Sequence, residues 1–239
     1  MIVSRSRAVA AAVAGAALLA GTTACGPTDP LAGRDPADVL RRAYETTQRA
    51  HFKQGTVSMS TGGRDIRADL GAADPDFCEG SVTVYRAGTA QLRMERGTLL
   101  LNGDSGFLKD HFRDRPEAEA EKAAERAAGR WLKLSATDRA AAHLVALCTA
   151  GAAPATAFSL DRTGIRREPD TAFNGSDVAV FTSTDANGSK ITDEVVLADK
   201  PYLFKRNQQT GNAFDAAEYR IVHIPPLKTP VAPGDTVEP

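Results

Sequence analysis

In two blocks of the chain, residues 52 to 108 and 177 to 221, apolar residues recur at every second position and short turn signals separate the runs. That period is the one a half-buried β-strand imposes, because successive side chains point to opposite faces. Val57 and Met59 alternate with Thr56, Ser58 and Ser60 before Thr61-Gly62-Gly63, and Ile66, Ala68 and Leu70 continue on the return. Val82 and Val84, then Leu92 and Met94, form two more runs divided by Arg86-Ala87-Gly88. Leu99 to Leu101 and Phe107-Leu108 read as a further hairpin through Asn102-Gly103-Asp104. Short strands on tight turns predict an antiparallel meander. The one-sided alternation leaves one face apolar and the other in water.

The second block repeats the pattern. Asp177 to Thr184 and Ser189 to Leu197 flank Asp185-Ala186-Asn187-Gly188, and Tyr202 to Gln208 and Phe214 to Ile221 flank Thr210-Gly211-Asn212. Helical patterns stand before and between the blocks. Asp35 is placed to cap and Pro36 to open a helix, and Val39, Leu40, Ala43, Tyr44, Thr47 and Ala50 give it one apolar face over 36–50. Pro116 to Arg130, rich in Ala, Glu, Lys and Arg, predicts a solvated helix. Ser135 to Asp138 has capping-box spacing ahead of a more apolar helix carrying Ala142, Leu144, Val145, Leu147 and Cys148. Arg130 to Leu134 alternates like a strand, and Pro154 to Leu160 predicts one more helical turn.

A sheet with one apolar face must cover it, and the helices at 36–50 and 136–148 are available, which predicts an α+β domain. The apolar face then offers Val57, Met59, Leu70, Val82, Val84, Leu92, Met94, Leu99, Leu101, Val178, Val180, Val195 and Tyr202. These are core residues, and they line any cavity that the helices leave. The alanines at 140–142 and 150–157 supply little helical bulk and so favour one.

The start of the chain carries Arg5 and Arg7, an apolar run from Ala8 to Ala20, and small residues through Thr22-Thr23-Ala24 before Cys25. That order is a secretory leader ending at a cleavage site. The apolar run is shorter than the roughly 20 residues a membrane-spanning helix needs. The 239 residues less such a leader suit one large domain or two small ones. A formal net charge of −1 offers no electrostatic footprint for nucleic acid.

Catalytic and metal readings fail on spacing. His51, His111, His143 and His223 are scattered without HxxxH or CxxC, so no metal and no cofactor is expected. GxSxG, a P-loop and GxGxxG are all missing. Gly103-Asp104-Ser105-Gly106 is similar to the nucleophile segment of chymotrypsin-like serine proteases, and Ala140-Ala141-Ala142-His143 to their histidine segment. The histidine segment here follows the serine instead of preceding it, and a hairpin turn explains the tetrapeptide. Asp74 and Asp76 flank Pro75 as turn formers, and Asp185 with Asn187 lacks the ligand series of a calcium loop. A non-enzymatic protein is therefore expected.

The leader resembles a bacterial lipoprotein signal, in which the cysteine after small residues receives a diacylglyceryl group and becomes the mature N-terminus. Thr22 stands where such signals most often carry leucine. An ordinary signal peptide cut elsewhere, with Cys25 an incidental thiol, is the alternative. If Cys25 carries the anchor, cysteine parity in an exported chain pairs Cys78 with Cys148. The mature chain resembles the LppX/LprG-type lipoproteins of actinobacteria and, more distantly, the lipoprotein carrier LolA. The resemblance runs through Cys25, the helix at Pro36 to Ala50 leading into Gly55-Thr56-Val57, Gly129-Arg130-Trp131-Leu132-Lys133-Leu134, Ala217-Glu218-Tyr219-Arg220-Ile221 and Pro225-Pro226. A pair like Cys78 and Cys148 is not part of that family's general pattern.

The resemblance implies a curved antiparallel sheet, a half-barrel wrapped around a few helices, with room for lipid acyl chains. The domain boundaries that follow are a signal peptide at 1–24, a lipidated flexible tether at 25–34, one LolA/LppX-like domain at 35–224 and a proline-rich tail at 225–239, extended or frayed. The expected protein is a lipoprotein held by its N-terminal lipid at the extracytoplasmic face of the cell membrane, binding or shuttling a lipid, glycolipid or other apolar ligand. The other expectation is a non-enzymatic envelope surface module for sensing or protein contact, without a cavity.

Overall fold

A computed structural model of the chain describes residues 29–61, 63–73, 77–157, 161–173, 175–211, 213–222 and 235–238. Cys25, the leader, residues 25–28 of the tether and most of the tail lie outside them. The chain runs through α1 (Pro36–Arg49), β1 (Phe52–Thr61), β2 (Arg64–Ala73), β3 (Phe77–Val84), β4 (Gly88–Glu95) and β5 (Thr98–Gly103). It continues through α2 (Ser105–His111), α3 (Glu117–Ala127), β6 (Trp131–Ser135), α4 (Ala142–Ala152) and α5 (Pro154–Ala157). Then come β7 (Arg162–Phe173), β8 (Ser176–Asp185), β9 (Lys190–Val196), β10 (Leu203–Thr210), β11 (Ala213–Ile221) and β12 (Thr236–Val237).

The two alternating blocks join edge to edge into one sheet of order β12-β6-β5-β4-β3-β2-β1-β11-β10-β9-β8-β7. The seam is the antiparallel pair β1–β11, which sets Val57 opposite Ala217 and Met59 opposite Asp215. Every pairing is antiparallel except β12 on β6. Helix α4 packs on β1, β2, β3 and β11, α2 on β4 and β5, and α1 on β7, β9 and β10. Two apolar clusters result. The larger includes Leu70, Val82, Leu92, Leu101, Leu144 and Leu147, and the smaller holds Leu31, Val39, Leu40 and Ala43 against Ala179, Phe181 and Val195. Each fully buried Leu or Val contributes about 1.5–3 kcal/mol.

Local chemistry sets the element ends. The Asp35 side chain accepts from the Ala37 amide, and Pro36 opens α1. The buried Lys53 ammonium donates to the Gln48 and Ala50 carbonyls, closing the helix with a cation where its dipole favours one. Gly80 of β3 faces Leu70 of β2, and a Cβ there would run into the Asp69 carbonyl oxygen. Cys78 of β3 and Cys148 of α4 are joined in a disulfide that ties the helix to the sheet.

Several expectations need correction. Phe107 and Leu108 lie on α2 instead of a strand, because Asp104 caps that helix: one carboxylate oxygen accepts from the Phe107 amide at 2.8 Å, the other from the Thr89 amide at 2.7 Å. Helix α3 is solvated on one side only, since Ala120, Ala123, Ala124 and Ala127 are buried along the other. At Ser135–Asp138 only half of a capping box forms, with Asp138 accepting from the Ser135 amide, and a 3₁₀ turn at Arg139–Ala141 precedes α4. Strand β7 shows no alternation of buried and exposed residues. In β8 the residues facing α1 are Ala179 and Phe181, which puts Val178 and Val180 on the other face.

Both ends of the domain are tied down more than their composition suggests. Of the expected tether, residues 29–34 are described. Leu31 is buried, its amide bonded to Asp29 Oδ1, and Asp29 pairs with Arg167 at 2.7 Å. In the tail, Thr236 and Val237 lie parallel to Trp131 and Leu132, with Lys133 paired to Glu238.

Candidate functional site

Helix α4 is two-sided. Leu144, Leu147 and Cys148 are fully buried in the larger cluster. Ala142, Val145, Ala146, Thr149 and Ala150, at three- and four-residue steps, form a second stripe that faces β1, β10 and β11. The Thr149 hydroxyl donates to the Val145 carbonyl of its own helix, so its proton is used within α4. Opposite it the register brings Val57 and Met59, Ala217 and Asp215, and Arg206 and Gln208 into neighbouring inward positions. Small residues on the helix and on β11 cannot fill the gap, and a cavity of about 460 Å³ remains. At one end Tyr219 donates to the Ala150 carbonyl at 2.7 Å, and burial pushes its hydroxyl pKa up.

The wall formed by β10 carries charge. Arg206 donates to the Tyr44 hydroxyl at 2.9 Å and to Gln208 Oε1, and lies 3.9 Å from Asp193. Arg162 pairs with Asp193 and also donates to the Tyr44 hydroxyl, at 2.8 Å. Tyr44 in turn donates to Asp193 at 2.6 Å, and Gln208 donates to Asp185 at 3.1 Å. Burial, then Asp193, drives the Tyr44 pKa up, so its hydroxyl keeps its proton. Burial pulls Arg162 down, but Asp193 and Tyr44 more than reverse it. Asp185 is held below the usual carboxylate range by the Ser189 amide. Asp215, on the cavity wall, is pushed up by burial against the opposing effects of the Ser60 amide and Arg206.

A second polar cluster stands at the start of α4. His111 is 7% exposed and neither ring nitrogen has a hydrogen-bond partner. Its ring lies 6.3 Å from that of His143. Burial, then Arg115 and Arg64, lowers His111 to about 4, and burial, then Arg64 and His111, lowers His143 to about 4. Arg64 pairs with Asp110 at 3.1 Å. Among the described residues no group of three His, Cys, Asp or Glu side chains is placed to hold a metal ion.

Of the residues proposed from the alternation, the cavity brings together Val57 and Met59. Leu70, Val82, Val84, Leu92, Met94, Leu99 and Leu101 pack in the larger cluster, and Val195 in the smaller. Val178 is buried and Val180 half-buried on the opposite face. Tyr202 is half-buried just ahead of β10, and its neighbour Leu203 enters the core. Ala142 and Ala150 belong to the alanine runs expected to leave space, whereas Arg206, Gln208, Asp215, Val145, Ala146 and Thr149 are additions from the structure. Their signal was present: polar residues two apart on β10, and alanines four apart on α4.

No protein-family model matches the sequence, and no curated protein matches it either. Among solved structures, LprF of Mycobacterium bovis aligns over 77% of this chain and 91% of its own, with 9% identity and a TM-score of 0.48. The lipoprotein LppX of Mycobacterium tuberculosis aligns over 77% of this chain and 93% of its own, with 10% identity and a TM-score of 0.53. The chain therefore has the LppX-like α+β fold, a large, mostly antiparallel twelve-stranded sheet with helices packed on it.

Proposed function

We propose that this protein is a lipid-anchored envelope lipoprotein that carries an apolar ligand, of the lipid or glycolipid class, between α4 and the β1–β11–β10 floor. The observation that carries the reading is the cavity itself. It is lined by Val57, Met59, Val145, Ala217 and the alanines of α4, and its charged groups, Arg206 and Asp215, lie side by side on the β10–β11 part of the floor. Its volume falls in the roughly 300–1,000 Å³ range of ligand pockets. Taking an acyl chain out of water there supplies about 0.8 kcal/mol per methylene, and no covalent step is required. Anchoring through a diacylated Cys25 fits a chain in which no described helix is long and apolar enough to cross a membrane. Likeness to a fold represented by the lipoprotein LppX supports the same reading.

Lipid mass spectrometry of the secreted chain carrying Cys25→Ser, purified without detergent, tests the carrier role. A co-purifying lipid that is lost in Ala146→Trp, which fills the cavity, is the expected result. A parent chain that yields no lipid, and binds none when offered it, overturns the carrier reading and favours the packed surface module. The anchor is tested separately by the mass of the N-terminal peptide from membranes. An unmodified Cys25, or a mature chain starting elsewhere, overturns that part.

A further inference from the structure

The geometry points to a ligand with one acyl chain and an uncharged, hydroxyl-bearing head, a monoacylglycerol-like amphiphile. A two-chain lipid and a free fatty acid are both disfavoured. The inference rests on the carrier reading above and narrows it.

Size argues for one chain. The cavity, about 460 Å³, is one space between α4 and the β1–β11–β10 floor. That matches a single long chain. The cavity cannot widen toward β2–β5, because Leu144, Leu147 and the Cys78–Cys148 disulfide already occupy that side of α4. On the other side stands the buried Tyr44–Asp193–Arg162 cluster.

Charge argues for an uncharged head. The polar side chains on the cavity wall include Arg206, Gln208 and Asp215. A cationic wall would select a carboxylate or phosphate, but Arg206 is answered from the sheet side. Asp193 lies 3.9 Å from it, and Gln208 links it to Asp185. The group that meets the cavity beside Met59 is Asp215, directly across from Gln208 and bonded to the Ser60 amide. Asp215 lies within the influence of Arg206, so the wall offers an acid and a guanidinium together, and a fatty-acid carboxylate arriving there is repelled by one as it is attracted by the other while losing its hydration. A hydroxyl donates to the same acid and accepts from the guanidinium or amide beside it, so a glycerol-like head satisfies both kinds of partner.

Displacement of N-phenyl-1-naphthylamine, an uncharged apolar dye, from the secreted chain carrying Cys25→Ser tests this. The competitors are monopalmitoylglycerol, palmitate and dipalmitoylglycerol, each delivered from cyclodextrin. Monopalmitoylglycerol is expected to displace the dye at about tenfold lower concentration than either of the others, the worth of one hydrogen bond to a charged group. Asp215→Asn is expected to weaken monopalmitoylglycerol and strengthen palmitate. A merely structural role for Asp215 would move both in the same direction. Ala146→Phe is expected to abolish displacement, and retention there overturns the location. The ranking in the parent decides the matter even where Asp215→Asn does not fold. If palmitate or dipalmitoylglycerol competes as well as monopalmitoylglycerol, the inference is overturned and the carrier reading stands. If the dye does not bind and none of the three binds by native mass spectrometry, the carrier reading itself fails.

Discussion

Replacing Asp193 by alanine removes the anion from a place that holds two guanidinium groups. The Asp193 side chain is 0% exposed, and those of Arg162 and Arg206 are 1% and 3% exposed. One carboxylate oxygen takes the Tyr44 hydroxyl at 2.6 Å and the other takes Arg162, so the desolvation of all three charges is offset only while the carboxylate is present. Deleting one partner of such a buried pair costs about 3–5 kcal/mol, because the remaining charge stays buried and uncompensated. For a domain near 200 residues, each kcal/mol shifts Tm by about 2–4 °C, which predicts a fall of roughly 6–20 °C in Asp193→Ala. Thermal unfolding by circular dichroism at pH 7 reads it. The loss should persist in 0.5 M salt, since buried pairs are screened far less than exposed ones. An Asp193→Ala chain that melts within 2 °C of the parent would refute the reasoning, because water would then be reaching the guanidiniums that the packing seals off.

Removing the Cys78–Cys148 crosslink with Cys78→Ala and Cys148→Ala should cost about 4 kcal/mol on the chain-entropy account, given a separation of 70 residues. An unchanged urea midpoint would contradict it. Stability should also fall in mild acid. The folded protein holds His111 and His143 at about 4, against roughly 6.5 in an unfolded chain, so the unfolded state binds the extra protons. This contribution is fully present above pH 6.5 and is lost as pH falls to 4. It reaches up to about 3 kcal/mol for the well-buried His111. His111→Phe should flatten the dependence in urea titrations between those limits, and an equally steep profile would count against the assignment. Gly80→Ala forces a methyl into the Asp69 carbonyl and should destabilise by about 1–3 kcal/mol, read as a lower urea midpoint. A neutral effect would mean that the β2–β3 backbone separates more easily than its close approach indicates.

How much of the fold was legible depended on whether a strand has one wet face. In β2, Ile66, Ala68, Leu70 and Ala72 are buried and their neighbours are not, so the pleat appears in the sequence as alternation. Strand β7 lies at the sheet edge with most of its side chains exposed or half-exposed, and its register with β8 shifts twice. Nothing there forces a period of two. Asp104 shows a different limit. Asn-Gly-Asp chemistry suits a hairpin turn and a helix cap equally well. What decides between them is the Thr89 amide on a neighbouring strand, a contact that no local pattern contains.

The cavity was harder to read because alternation finds large apolar side chains that point inward, and a cavity lies where inward positions are small or polar. Leu70, Leu92, Leu99 and Leu101 satisfied the pattern best, and for that reason they fill the side of α4 that has no space. On the other side, Ala142, Ala146 and Ala150 repeat every four residues. Their meaning depends on what they face, and that is set by the β1–β11 seam between segments far apart in the chain. The same seam turns Arg206, Gln208 and Asp215 inward, while Lys205 and Glu218, opposite each other on β10 and β11, pair at 3.2 Å on the outer face. A charged residue in the inward phase of a strand is costly unless something answers it. The polar phase of β10 and β11, set against an alanine stripe, was therefore the stronger pointer to a binding site than the run of leucines.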